Sequence, residues 1–179
     1  MWWFVRRAIM VLLVALVLAV VLRGPIYRAV VHYKILGIRD KSDLMLPPVS
    51  SGTIVPGIYN LIDAVLDTTA QRLHFSAGKV SNDPAMLGKD SAANCIGYAA
   101  LFKAILQKEL ASTGQADAYD VEQVIGQLNI GDRNLHKAFS SPFWKDHDIV
   151  RIRDKRTGSS IYVDPTLYDA VGIGFVSGP

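Results

Sequence analysis

Residues 94–110 read NCIGYAALFKAILQKEL and include Cys95, the one cysteine of the chain. Apolar side chains recur through this stretch at helical spacing, which predicts an amphipathic helix over about residues 94–111 with the cysteine in its first turn. Asn94 is a residue type that favours the N-cap position. We expect the core to form on the apolar face, which consists of Tyr98, Ala99, Phe102, Ile105, Leu106 and Leu110, with Lys103, Gln107, Lys108 and Glu109 largely on other faces.

Cys95 is a candidate nucleophile because of its position in the predicted helix. The N-terminus of a helix presents unpaired backbone N–H groups and the positive end of the helix dipole, and both favour the thiolate over the thiol. The alternative is that Cys95 is an inert, buried small residue, which is the more common use of an unpaired cysteine. Reactivity also requires a partner base, so the choice depends on residues elsewhere in the chain.

Charge is unevenly distributed along the chain. Residues 1–41 contain seven Lys or Arg and one acidic residue, a net charge of +6, whereas residues 42–179 carry a net charge of −3. The high pI therefore comes from the N-terminal segment. The remainder has no basic patch of the kind that binds nucleic acid, so we do not expect a nucleic-acid partner.

Metal, cofactor and disulfide chemistry are not expected from this sequence. A single cysteine cannot form an internal disulfide. The four histidines, His32, His74, His136 and His147, have no metal-site spacing. No Walker loop, glycine-rich dinucleotide fingerprint or HExxH motif occurs. The length of 179 residues suits one domain, and nothing in the sequence predicts an oligomeric state.

Residues 8–22, AIMVLLVALVLAVVL, form an uninterrupted apolar run of fifteen residues. A membrane span needs about 20 residues, and the preceding aromatic and basic residues can extend the run, because aromatic rings favour the membrane interface and arginine side chains can snorkel. The alternative is a cleaved signal peptide, but no small-residue cleavage site follows the run. We predict an uncleaved single-pass anchor in the plasma (inner) membrane, with membrane lipid as a partner.

The side of the membrane on which the body lies is open to two interpretations. Five basic residues follow the apolar run, against two before it, which favours a cytoplasmic body. A short basic start followed by an apolar run is also how export signals look. We prefer the second interpretation and expect an extracytoplasmic, periplasmic body.

The chain divides into three predicted parts: an anchor and juxtamembrane segment (1–41), a linker (42–56) and a folded domain (57–179). Residues 26–38 are expected to lie along the membrane interface or to continue the anchor as a stalk. Within the domain, apolar spacing predicts a helix over about 57–75 and a strand over 118–130, with a helix as the alternative for the first half of the latter. Residues 131–146 are expected to form a loop. Residues 148–152 and 160–164 are predicted to be strands joined by a polar turn.

These two strands supply a candidate partner for Cys95. If they pair as a hairpin with Arg153 opposite Gly158, then His147 faces Asp164, because side chains alternate along a strand. The opposite face is then uniformly apolar, which independently supports this choice of face. It contains Val150, Ile152, Ile161 and Val163.

Cys95, His147 and Asp164 together have the chemistry of a nucleophilic triad. The imidazole of His147 would take the thiol proton, and the carboxylate of Asp164 would hold the imidazole in the correct tautomer. Taken singly, each residue has an ordinary structural use: His147 as an exposed residue at a strand end, and Asp164 as a turn residue before proline.

The same three segments resemble those of the transglutaminase-like superfamily of papain-like enzymes. The resemblance covers roughly residues 57–168 and rests on a cysteine that opens an apolar helix (NCIGYAALFKAIL), a histidine that opens a strand (HDIVRI) and an aspartate before Pro-Thr at the end of the next strand (IYVDPT). It implies an α+β fold in which the cysteine helix packs on an antiparallel sheet. It also implies that Cys95 is the nucleophile, His147 the base and Asp164 the orienting acid.

The resemblance implies a membrane-anchored, bacterial-type cysteine hydrolase, a peptidase or amidase, that acts on a peptide or protein through a thioester intermediate. Ile96 stands where the cross-linking transglutaminases carry tryptophan, so hydrolysis is expected rather than cross-linking. The alternative is an inactive transglutaminase-like domain that binds a peptide or scaffolds a membrane complex.

Overall fold

The computed structural model describes residues 2–40, 57–88, 91–138 and 146–179, which form an α+β structure with an apolar N-terminal helix and an antiparallel sheet. The helices are α1 (Trp2–Val21), α2 (Arg23–Val30), α3 (Ile58–Ala70), α4 (Cys95–Ser112) and α5 (Pro165–Val171), with 3₁₀ turns at Pro84–Met86 and Leu135–Lys137. The strands are β1 (Val31–Asp40), β2 (Leu73–Phe75), β3 (Ser91–Ala93), β4 (Tyr119–Ile130), β5 (Arg133–Asn134), β6 (His147–Asp154), β7 (Ser160–Val163) and β8 (Phe175–Val176).

Helix α1 contains 20 residues, and its side chains are exposed along its length. At 1.5 Å per residue it extends about 30 Å, which matches the hydrocarbon core of a bilayer. It is long and apolar enough to cross a membrane, although a signal sequence near the N-terminus would meet the same criterion. Leu22 joins α1 closely to α2, because its N–H donates to the Leu18 carbonyl over 2.8 Å and its carbonyl accepts from Ile26 N–H over 2.9 Å.

The segment after α2 is a strand of the main sheet. We expected residues 26–38 to lie along the membrane interface or to form a stalk, and this expectation is wrong for residues 31–38. Val31, Tyr33 and Ile35 alternate with the exposed His32 and Lys34, which is the pattern of a strand with one buried face. Strand β1 pairs antiparallel with β4 from Val31–Ile130 to Asp40–Gln123.

The main sheet has the strand order β1-β4-β6-β7-β8, and β5 pairs with the end of β4. All of these pairings are antiparallel. The two outer strands approach each other, because Tyr33 N–H donates to the carbonyl of Ser177 over 2.9 Å and His32 forms a bridge with Ser177. The sheet therefore curls, with β1 beside the segment that follows β8.

Helix α4 packs against one face of this sheet and carries the larger core. Every residue of its predicted apolar face is buried, and Lys103, which we expected largely on another face, is only 7% exposed. The core joins α3 and α4 to the sheet residues Val121, Val150, Ile152 and Val163, with Ile161 at its edge. This confirms the apolar face that was predicted for the β6–β7 hairpin.

The register of that hairpin differs from the prediction by two residues. Arg153 pairs with Ser160, not with Gly158. Asp154 N–H donates to the Ser159 carbonyl over 2.9 Å, so the four-residue loop is 155–158, one residue later than predicted. The Asp154 carboxylate accepts hydrogen bonds from the backbone N–H groups of Arg156 (2.8 Å) and Thr157 (3.1 Å), which stabilises the turn at this position. A shift of two residues leaves each side chain on its predicted face, because the strand period is two.

Helix α3 is shorter than predicted. It ends at Ala70, and Leu73–Phe75 forms the short strand β2, which pairs in parallel with β3 just before the cysteine helix. The predicted linker, residues 42–56, lies outside the described residues.

A second, smaller core lies on the inner face of the curled sheet. Val31, Tyr33, Val124, Ile149 and Val176 form it. Strand β4 contributes Gly126 where β1 and β6 flank it. A methyl group on Gly126 would lie 2.9 Å from Tyr33 Cδ1 and 3.3 Å from the His147 carbonyl oxygen. The absence of a side chain at this position therefore leaves room for the ring of Tyr33.

We expect the substitution Gly126→Ala to lower the free energy of unfolding by about 1–3 kcal/mol, because the added methyl group overpacks the inner core. Thermal or denaturant unfolding of the detergent-solubilised chain measures this loss. Gly37→Ala is the matched control in the paired strand, since a methyl group there meets no atom within 4 Å. Equal effects of the two substitutions would contradict the close packing of Tyr33 on Gly126.

Candidate active site

Cys95 is the first residue of helix α4 and is 7% exposed. Asn94 caps the helix, as predicted: its side-chain oxygen accepts hydrogen bonds from the N–H groups of Ile96 (3.1 Å) and Gly97 (3.2 Å). The first N–H groups of a helix have no partner within the helix. The cap occupies two of them, and the N–H of Cys95 is not one of those two.

His147 and Asp164 form a close, largely buried pair. His147 Nε2 lies 2.8 Å from Asp164 Oδ2, and the side chains are 15% and 1% exposed. Asp164 lies one residue beyond β7, where it is the N-cap of α5, and its Oδ1 accepts a hydrogen bond from Leu167 N–H over 2.9 Å. Asp164 thus serves both as a helix cap and as the partner of His147.

Cys95 lies close to this pair, because its thiol is among the groups that raise the pKa of the His147 imidazole. Nε2 of that ring faces Asp164, which leaves Nδ1 as the nitrogen available to the thiol. The structure therefore brings together all three residues that the sequence suggested, with the histidine between the thiol and the carboxylate.

The electrostatics of His147 favour its charged form. Burial lowers the pKa of the imidazole, but the carboxylate of Asp164, its hydrogen bond and the nearby thiol of Cys95 outweigh burial and raise the pKa well above the ordinary value. A base with this proton affinity beside a cysteine at a helix N-terminus is one of the parts that a nucleophilic cysteine requires.

Tyr33 is a member of this group that the sequence analysis did not identify. Its hydroxyl donates a 2.9 Å hydrogen bond to Asp164 Oδ2, the same oxygen that faces His147. Its ring centroid lies 6.3 Å from that of His147. The alternating pattern of Val31, Tyr33 and Ile35 is the sequence signal that identifies the strand.

A second polar cluster lies beside the first turn of α4. Asp148, which is fully buried, accepts hydrogen bonds from Arg39 Nε (2.6 Å) and Arg39 Nη2 (2.9 Å) and from Gln123 Nε2 (2.6 Å). Gln123 Nε2 also donates to the carbonyl of Ile96 over 3.2 Å. This cluster therefore fixes the residue next to Cys95. The sequence signal was an aspartate at a position that shares the apolar face of Val150 and Ile152.

No group of three or more His, Cys, Asp or Glu side chains that could hold a metal ion occurs among the residues that the structure describes. Trp144, which lies shortly before His147 in the sequence, is outside the described residues. Comparisons of the chain with protein-family models, with curated proteins and with solved structures find no match.

The raised pKa of His147 predicts that this residue stabilises the fold most at low pH. The folded chain binds the proton more tightly than the unfolded chain, so the stabilisation is complete below about pH 6.5, the pKa of an unfolded histidine. It is lost as the pH rises through the pKa of the folded state. We expect the difference in unfolding free energy between Cys95→Ala and Cys95→Ala/His147→Gln to shrink from pH 6 upward.

Both variants carry Cys95→Ala, so the thiol does not titrate in either of them. Contributions that the two variants share cancel in the difference between their unfolding free energies. A difference that stays constant from about pH 6 to 9 would contradict a charged His147 in the folded chain.

We expect Asp148→Ala to lower the free energy of unfolding by about 2–4 kcal/mol, because the Gln123 amide and the Arg39 guanidinium lose the buried carboxylate that accepts their hydrogen bonds. Asp120→Ala is the control: it removes an ion pair to Arg153 of 2.5 Å at the protein surface, where the expected loss is below about 1 kcal/mol. Denaturant unfolding compares the two, and similar losses would show that the Asp148 cluster adds nothing beyond a surface pair.

Proposed function

We propose that this chain is a membrane-anchored cysteine hydrolase of the transglutaminase-like type, which cleaves an amide bond in a peptide or protein through Cys95, His147 and Asp164. The observation that carries the proposal is the position of His147 between a thiol at a helix N-terminus and a buried carboxylate 2.8 Å away. A thiol, a base and an orienting acid in this order are the parts that acyl transfer requires.

In the first step, His147 takes the proton of the Cys95 thiol and the sulfur attacks the carbonyl carbon of the substrate. The C–S bond forms, the carbonyl π electrons move to oxygen, and a tetrahedral intermediate results. His147 then gives its proton to the leaving nitrogen, the C–N bond breaks, and a thioester remains on Cys95. The released product is an amine.

In the second step, water replaces the amine. His147 takes a proton from the water as its oxygen attacks the thioester carbon, and a second tetrahedral intermediate forms. Its collapse breaks the C–S bond, releases a carboxylic acid and returns the proton from His147 to the sulfur. No oxidant, reductant or additional reactant is needed.

Asp164 has two functions in this cycle. It keeps a proton on Nε2 of His147, so that Nδ1 is the nitrogen that exchanges a proton with sulfur and substrate, and its charge stabilises the imidazolium that forms. Its burial keeps the carboxylate charge from being screened by solvent, so its effect on the imidazole is larger than that of an exposed carboxylate.

The backbone N–H of Cys95 is the donor that we assign to the developing oxyanion, because it belongs to the first residue of the helix and lies next to the reacting sulfur. The side chain of Gln123 is not assigned this function. Its amide nitrogen has two hydrogens, and the bonds to the Ile96 carbonyl and to Asp148 account for both. Gln123 instead fixes the backbone next to Cys95.

The proposal places the body close to the membrane, on its extracytoplasmic side. Helix α1 would be the uncleaved anchor, and α2 follows it after one residue. The substrate would then be a peptide or protein segment that reaches the membrane surface.

The test is the pair of substitutions Asp164→Asn and Cys95→Ala in the full-length chain. Asparagine is a good N-cap, so it can keep the bond from Leu167 N–H, but its amide group would then face His147 and favour the wrong tautomer. We expect activity against peptide and amide libraries to fall by roughly 10³- to 10⁴-fold. Some thermal stability should also be lost, because His147 loses its charged partner, so thermal melting checks that the variant is folded at the assay temperature. Cys95→Ala should remove activity and iodoacetamide labelling with the fold retained.

Turnover by the Cys95→Ala protein would end the proposal. Slow, ordinary thiol alkylation of the unmodified chain, without a fast reaction near neutral pH, would favour an inactive domain that binds a peptide.

A further inference from the structure

Strand β1 brings a tyrosine to the acidic member of the proposed triad. Tyr33 is 1% exposed, and its hydroxyl donates to Asp164 Oδ2 over 2.9 Å. The two residues are 131 positions apart in the sequence, and the curled sheet brings them together. Asp164 Oδ2 therefore has two partners, His147 and Tyr33, and Oδ1 has the N–H of Leu167.

The direction of the hydrogen bond between Tyr27 and Tyr33 follows from that of the bond between Tyr33 and Asp164. A carboxylate can only accept, so the single hydroxyl hydrogen of Tyr33 is used for Asp164. The hydroxyl of Tyr27 lies 2.7 Å from that of Tyr33 and must therefore be the donor to it. Because Tyr27 belongs to α2, a chain of hydrogen bonds runs from the helix next to the apolar anchor through Tyr33 and Asp164 to His147.

This arrangement restricts the rotation of the carboxylate. The Leu167 N–H alone would leave Oδ2 free to turn about the cap, whereas a second donor from β1 holds it where His147 Nε2 meets it. Hydrogen bonds in series also polarise one another, so the donation from Tyr27 strengthens that from Tyr33. Burial and the adjacent Asp164 charge raise the pKa of Tyr33 far above its ordinary value, so the hydroxyl remains a donor.

We propose that Tyr33 is a positioning residue of the catalytic centre: it acts through Asp164, it is itself oriented by Tyr27, and both tyrosines come from the segment that directly follows the anchor. The inference rests on the proposed function for its catalytic consequence. The geometry that it describes is tested separately, through the state of His147.

The experiment uses the full-length chain in detergent micelles, with Tyr33→Phe as the main variant. Phenylalanine keeps the ring that packs on Gly126 and removes only the hydroxyl. Tyr27→Phe is the graded variant, because it leaves the bond from Tyr33 to Asp164 in place. Tyr168→Phe is the matched control, since the Tyr168 hydroxyl donates to a carboxylate, Asp67, at another site.

Two readouts separate positioning from general stability. The first is the pH titration of the His147 imidazole by NMR of histidine-labelled protein, assigned with His147→Gln. The groups that face His147 are Cys95 from α4, Asp164 from the start of α5 and Tyr33 from β1, with Arg39 of β1 as a charge partner of Cys95. The second is the rate of Cys95 alkylation by iodoacetamide as a function of pH.

For Tyr33→Phe we expect the pKa of His147 to move toward its ordinary value by about half a unit or more and alkylation at neutral pH to slow by about 10- to 100-fold. Tyr27→Phe should change both in the same direction by less, and Tyr168→Phe should change neither. Thermal melting shows whether each variant is folded.

An unchanged or increased His147 pKa in folded Tyr33→Phe would overturn the inference, as would an equal effect of Tyr168→Phe. If Tyr33→Phe shifts the titration while the unmodified chain cleaves no amide, the positioning of His147 holds and the hydrolase proposal fails. If the unmodified chain is active and Tyr33→Phe matches it in rate and titration, the hydrolase proposal holds and the positioning function is wrong.

Discussion

The buried carboxylate of Asp164 is the interaction on which the site depends. A charged carboxylate removed from water is costly unless its oxygens are hydrogen-bonded. Here three donors satisfy it, and each comes from a different element: Leu167 N–H in α5, His147 in β6 and Tyr33 in β1. These three elements must be in place together before the carboxylate is satisfied. The geometry of the site is thus a consequence of stabilising one charge.

Strand β6 connects this charge to the cysteine helix through two successive residues. His147 meets Asp164, and Asp148, whose side chain points to the opposite face of the strand, meets Gln123 and Arg39. Gln123 in turn holds the Ile96 carbonyl in the first turn of α4. The start of β6 therefore sets the position of the histidine and of the cysteine helix at once. Two buried acids, Asp164 after β7 and Asp148 in β6, thus hold the two faces of this strand end.

Much of this arrangement could be predicted from the sequence, and the features that could not be predicted have physical reasons. The period of two in β6 and β7 correctly gave the face of His147. The register depends on the position of the turn, which the hydrogen bonds of the Asp154 side chain set and apolar spacing does not record. Strand β1 was missed because it follows α2 with no turn residue between them, and both elements mix apolar and basic side chains. Asp148 and Tyr33 became visible as site residues only once strand pairing placed them beside Gln123 and Asp164.

The pairing of β1 with β4 has a consequence for how the chain is made. Partners in this pair are separated by roughly ninety residues, and Ser177 is needed to complete the contact with β1. During synthesis, β1 emerges after α1 and α2, and its edges stay unpaired until residues 119–130 and then 175–177 have been made. Folding of the sheet is thus delayed until residues 119–130 and 175–177 have been made. By then the N-terminal end of β1 is already connected to α2 and, through it, to α1. Helix α1 and the sheet are in this sense one folding problem, which begins at the apolar helix and is completed only when the segment after β8 has been made.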